Sequence, residues 1–166
     1  RSEDGGDTWD SIPILDSVGD PMHIYTVRAF AHPTIGDTVY AALIYGNRDF
    51  ECVDACGIYR STDAGDTWAR VSAAIPNDKK ITALSFSSDG SQLFAGTEDG
   101  LVYYGVSGGN NWLPASTDWN GATPPGHVSK LAIQPGSSPV NLFLISEGEG
   151  FSGPMFRCTP QGTYGL

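Results

Sequence analysis

The sequence predicts an all-β chain, a β-propeller of about three four-stranded antiparallel blades that belongs to a larger propeller. Three observations predict it. Short runs rich in Val, Ile, Tyr and Phe recur along the whole length, separated by clusters of Gly, Pro, Asn, Asp and Ser. β-Branched and aromatic residues suit a pleated, half-buried surface, and the cluster residues suit turns. The runs group in fours within units of roughly 40–60 residues, the repeat length of propeller blades. Finally, the frame Ser-x-Asp-x-Gly-Asp-Thr-Trp occupies residues 2–9 and returns at 61–68. No segment carries a helical period.

Taken in chain order, the units are as follows. Residues 1–24 supply the fourth strand of a preceding blade, starting at Trp9, and its connection. Residues 25–80 form a whole blade with strands at 25–30, 38–45 and 58–60 and a fourth from Trp68. Residues 81–127 form the next, with strands at 81–86, 92–96 and 101–104 and a fourth from Trp112. Residues 128–166 form an incomplete blade with strands at 128–133, 140–145 and 155–157. Turn clusters at 32–37, 87–90 and 134–137 separate first from second strands. Propellers close with about four to eight blades, and an open stack leaves sheet edges that invite pairing. The reading therefore favours a piece of a longer chain over a homo-oligomer that closes the ring between copies.

The repeated frame assigns roles to its residues. Asp4 and Asp63 can accept hydrogen bonds from N–H groups inside the loop, as Asx-turns do. Gly6 and Gly65 provide positive φ, while Ser2, Ser61, Thr8 and Thr67 offer hydroxyls. Trp9 and Trp68 are expected to tuck beneath the loop, each burying about 150–250 Å². A degraded third copy keeps Gly109 and Trp112 but has Ser107 where the Asp stood, and a fourth trace keeps only Gly162.

On these residues the chain resembles the Asp-box (BNR-repeat) β-propeller family, which spans sialidase-like, sortilin-like and xyloglucanase-like proteins and the photosystem II assembly-factor propellers. The resemblance implies that Asp boxes lie on the face opposite the active or binding site. It therefore implies a folding role for Asp4 and Asp63, not a catalytic or metal-binding one.

Blade topology sorts the loops onto two faces. First-to-second and third-to-fourth loops share the box face; second-to-third loops and blade connections share the other. The longer segments, 10–23, 46–57, 114–127 and 146–153, all fall on that second face, where a rigid scaffold would carry binding groups. The insertion at 46–56 is the clearest, because the equivalent turn in the next blade is only Thr97-Glu98-Asp99-Gly100. A Cys52–Cys56 disulfide would stiffen its tip and would suit an oxidising compartment. Binding candidates are Asp49 and Glu51 in this insertion, Trp119 between blades, and Glu147, Glu149 and Phe151 in the third blade's counterpart loop. Carboxylates beside exposed aromatics commonly furnish sugar-binding clefts; the plainer reading is a set of solvated acidic loops.

Composition excludes several classes. A net charge of −10 repels phosphate backbones and anionic lipid, so neither nucleic acid nor a membrane surface is an expected partner. No apolar run is long enough for a membrane-spanning helix. The chain opens at Arg1 inside a motif, so it reads as a mature, trimmed or fragmentary piece, and the lack of a leader says nothing. No metal or cofactor is expected: a lone C-x-x-x-C lacks a second ligand pair, and no Gly-rich phosphate loop or Gly-x-Ser-x-Gly elbow appears. A sialidase would need an arginine trio, for which the six arginines give no motif. The expectation is a non-catalytic, secreted, periplasmic or cell-surface segment. Its partner would be a protein or glycan ligand, or the remaining blades of the same propeller. The alternative is a fragment of a xyloglucanase-like glycoside hydrolase, whose two carboxylates cannot be paired from sequence.

Overall fold

The computed structural model describes residues 1–13, 24–45, 56–76, 78–106, 108–115, 126–136, 141–147 and 155–158. Their strands are β1 (Ile24–Ala31), β2 (Val39–Tyr45), β3 (Gly57–Ser61), β4 (Ala69–Arg70), β5 (Ile81–Phe86), β6 (Leu93–Thr97), β7 (Val102–Val106), β8 (Asn111–Pro114), β9 (His127–Ile133), β10 (Leu142–Glu147) and β11 (Met155–Cys158). They form antiparallel sheets in the orders β1-β2-β3-β4, β5-β6-β7-β8 and β9-β10-β11. Consecutive strands are always neighbours, the meander of a propeller blade. Pro114, which cannot donate to a ladder, stands on the outermost strand of its sheet, where that costs nothing.

The sheets pack face to face. Tyr40, Ala42 and Ile58 of the first sheet meet Leu84, Leu93, Ala95, Tyr103 and Trp112 of the second in one buried cluster. The opposite side of the second sheet, through Ala83, Phe94, Val102 and Tyr104, buries Val128, Leu142 and Leu144 of the third. The middle sheet is thus covered twice. Every residue of β6 is buried, which explains why that strand reads as a continuous apolar run instead of an alternation. Gly96 is required at the second contact: a Cβ there would lie 2.5 Å from Val128 Cγ1.

One expectation holds only in part. Residues 9–13 carry no strand, and Trp9, although its indole lies against its own loop as expected, is 75% exposed. Among the described residues the first box loop has no sheet of its own against which an indole could lie. The loop is nevertheless closed like its sequel. Arg1 and Asp10 exchange both backbone hydrogen bonds, at 2.6 and 2.7 Å, the rung that Arg60 and Ala69 occupy between β3 and β4.

Candidate functional site

The box face is built from the repeated loops, and its chemistry is spent internally. In the second loop Asp63 accepts from the Ser61 hydroxyl at 2.6 Å, from Thr67 N at 2.9 Å and from the Thr67 hydroxyl. The first loop repeats this, with Ser2 Oγ donating to Asp4 at 2.8 Å and Thr8 N at 2.9 Å. Each serine oxygen also accepts from the glycine amide four residues on, Gly6 at 2.7 Å and Gly65 at 2.8 Å. Both glycines have positive φ. These donors stabilise the ionised form: hydrogen bonds from Ser61 and Thr67 hold the Asp63 carboxyl down at about 2, and those from Thr8 and Ser2 hold Asp4 well below the usual range. A carboxylate so engaged is a poor proton acceptor and has few lone pairs left for a ligand. Its geometry is that of a loop clamp.

The degraded third copy shows what replaces the clamp. With Gly105 where Ser61 stood and Ser107 where Asp63 stood, the β7–β8 ladder runs two rungs further, through Gly105↔Trp112 and Val106↔Asn111. Trp112 thereby becomes a strand residue, 2% exposed, lying across Gly105, where a Cβ would come within 3.1 Å of the ring. Its indole N–H turns away from the loop. Trp9 and Trp68 donate to Gly6 and Gly65 carbonyls of their own loops at 3.1 and 3.0 Å, whereas Trp112 donates to the Val71 carbonyl, just beyond β4 of the first sheet, at 3.0 Å. A local bond has become a bond between blades.

Sequence reasoning missed a second device on this face. The arginine just before a box reaches the box loop of the following blade. Arg1 pairs with Asp66 of the second loop, and Arg60 Nη1 donates to the Gly108 carbonyl at 3.1 Å, which Tyr40 Oη also reaches at 2.7 Å. The recurrence of Arg at 1, 60 and 157 was the available signal.

The sequence leads one to expect the long segments on the second face. Asp49, Glu51, Trp119, Glu149 and Phe151 lie outside the described residues, as does Cys52. Cys56 is buried and disulfide-bonded. Glu147 ends β10, in register with His127 at the start of β9, so the pairing brings these two backbone positions together at the rim of this face. Among the described residues no group of three His, Cys, Asp or Glu side chains is placed to hold a metal.

What the described part of this face does present is a charged depression, unanticipated from the sequence, lined by Asp78, Lys79 and Lys80 of the blade connection and Glu98 and Asp99 of the β6–β7 turn. Lys79 Nζ donates to Asp99 Oδ2 at 2.6 Å, and Lys80 Nζ lies 2.8 Å from Glu98 Oε2. Burial pushes the Asp99 carboxyl up, but hydrogen bonds from Lys79 and Thr97 outweigh it, leaving the group below its ordinary value. The same bond from Lys79 to Asp99 raises the lysine. The Lys79–Asp99 pair therefore stays charged across the neutral range.

No protein-family model matches the chain. Over 154 residues, 90% of its length, it is 28% identical to a xyloglucanase of Hypocrea jecorina (strain QM6a), of which it spans 16%. Its fold is similar to that of an ancestral GH74 enzyme, with a TM-score of 0.62 at 16% identity, over 92% of this chain and 19% of that one. It is likewise similar to the GH74 xyloglucanase from Xanthomonas campestris, with a TM-score of 0.57 at 14% identity, over 92% of this chain and 22% of that one. The fold is that of a β-propeller segment, similar in sequence to a xyloglucanase and in architecture to GH74 enzymes.

Proposed function

We propose that this chain is a section of an extracellular Asp-box propeller that contacts a β-linked glycan through its second face, without itself supplying the catalytic pair. The observation that carries this reading is the similarity to a xyloglucanase across 90% of the chain. Two features support it. The box-face carboxylates Asp4 and Asp63 are consumed by their own loops, leaving the opposite face for a ligand. The sequence assigns its longest loops, with Asp49, Glu51, Trp119, Glu147, Glu149 and Phe151, to that opposite face. Aromatic rings offer stacking area to the apolar face of a pyranose, and carboxylates accept hydrogen bonds from its hydroxyls. The disulfide at Cys56 suits a secreted, periplasmic or cell-surface protein.

The similarity to a xyloglucanase also favours a second reading, in which the chain is part of a glycoside hydrolase and some of these carboxylates act in catalysis. Retaining hydrolysis needs two carboxyl groups about 5–5.5 Å apart, and inverting hydrolysis about 6.5–9.5 Å. Affinity electrophoresis in gels containing xyloglucan, run beside cellulose-derivative and mannan gels, tests the first reading. Retardation by xyloglucan that is lost in Trp119→Ala and Phe151→Ala supports it. Equal mobility in all gels refutes it. Release of reducing ends that disappears in Glu147→Gln or Glu149→Gln would establish the second reading in its place.

A further inference from the structure

The depression between the blade connection and the β6–β7 turn has a composition that structural need does not explain. The chain has only three lysines, and two of them, Lys79 and Lys80, stand side by side here against three carboxylates. The backbone also ties the two segments together, with Glu98 N donating to the Lys80 carbonyl at 3.0 Å. Ion pairs this accessible contribute little to stability. What the pairs do provide is fixed polar geometry. The lysine side chains are about a quarter exposed, those of Glu98 and Asp99 about half. Asp99 is additionally anchored through Oδ1 by the hydroxyl of the fully buried Thr97.

From this arrangement we infer that the depression lined by Asp78, Lys79, Lys80, Glu98 and Asp99 is a hydroxyl-reading subsite for a neutral sugar ring. Each ammonium has three donors and uses one on its carboxylate; each carboxylate has lone pairs to spare. A lysine paired with a carboxylate at 2.6–2.8 Å therefore offers one donor and one acceptor side by side. Neighbouring hydroxyls on a pyranose need that combination, because each can accept from the ammonium and donate to the carboxylate. Hydrogen bonds with a charged partner are roughly twice as strong as neutral ones. The local charge, three carboxylates against two ammonium groups, is nearly balanced, so neither an anion nor a cation is preferred over an uncharged polyol. The cavity of about 130 Å³ has room for roughly four waters, which a sugar ring edge would displace. The exposed Leu101 on the same turn adds an apolar surface nearby.

This inference rests on the glycan-contact reading and names one place where contact occurs. The test is isothermal titration of the chain with a xyloglucan-derived oligosaccharide, comparing the parent with Lys79→Met/Lys80→Met, which keeps the aliphatic stems and removes the charges. A Kd raised tenfold or more, with the thermal midpoint kept, supports the subsite. An unchanged Kd in the double variant, with the parent binding normally, overturns the subsite and leaves glycan contact intact. A folded parent that binds no glycan overturns both. Should the double variant fold poorly, amide shifts in the parent decide. Perturbation of Lys80, Glu98 and Asp99 on adding oligosaccharide supports the subsite, and shifts confined to other residues refute it.

Discussion

The three box tryptophans occupy one motif position yet should carry very different free energies. Trp112 is the expensive one. In Trp112→Phe the Val71 carbonyl, whose residue is buried, loses its indole donor at 3.0 Å; an orphaned buried acceptor costs about 1–3 kcal/mol. Two fewer ring carbons in the closed space between sheets remove about 1.6 kcal/mol more, at about 0.8 kcal/mol per buried carbon. Together these give roughly 3–5 kcal/mol, a large share of the about 5–15 kcal/mol that holds a domain together. At about 2–4 °C per kcal/mol for a chain of this size, the thermal midpoint should fall by about 6–20 °C. Trp9→Phe removes a ring that is 75% exposed and bonded only within its own loop, so it should lie within about 0.5 kcal/mol of the parent. Trp68, half-buried with a local bond, should fall between, at about 1–2 kcal/mol. Urea unfolding followed by far-UV circular dichroism reads all three without relying on tryptophan emission, and an unchanged m-value keeps the comparison valid. Equal midpoints for Trp9→Phe and Trp112→Phe would refute the reasoning. They would mean that the loop network, and not contact between sheets, sets the value of this position.

Acid should loosen the box loops and the β5–β6 turn in a defined window. Asp63 and Asp89 titrate at about 2 in the folded chain instead of 3.8, chiefly through hydroxyl donors Ser61, Thr67 and Ser87, and Asp4 is depressed likewise. Between these values the unfolded chain binds more protons than the folded one, so this stabilisation is complete above about pH 4 and is lost as pH falls towards 2. Thermal melts across that range should show a steep acid limb that flattens in Asp63→Asn, and an unaltered slope would count against the clamp. Gly96→Ala places a methyl 2.5 Å from Val128 Cγ1 and 2.7 Å from its Cβ, which should cost about 1–3 kcal/mol as overpacking. Adding Val128→Ala should recover part of that loss in the same denaturation assay, whereas strictly additive losses would show that the strain lies elsewhere.

The meander was readable because its causes are local. Strands announced themselves by composition and by turns with Gly, Pro and Asp at fixed offsets, so 81–86 was placed to the residue and most other strands within one or two. The box hydrogen bonds were equally readable, since each links residues two to four apart. The failures have a common cause. Trp9 was expected to be buried because Trp68 obeys the same motif, but burial belongs to the neighbouring sheet and not to the motif. The Arg60–Gly108 and Trp112–Val71 bonds span 48 and 41 residues, and no local pattern specifies such partners. The Lys79–Asp99 pair needed the blade connection folded against a turn that reads, in sequence, as an ordinary Asp-Gly hairpin tip. Among the candidate binding residues only Glu147 falls within a described strand, in register with His127.

The middle sheet, covered on both sides, makes the array behave like a short row of dominoes. Among the described residues two buried clusters each join one pair of neighbouring sheets, so an opening that starts at β1–β4 or β9–β11 breaks one of these two interfaces, while opening β5–β8 first would have to break both at once. In such nearest-neighbour arrays protection accumulates inward. Amide protons on β6, shielded from both directions, should therefore be the last to exchange with solvent, and their exchange rate would report the stability of the whole row.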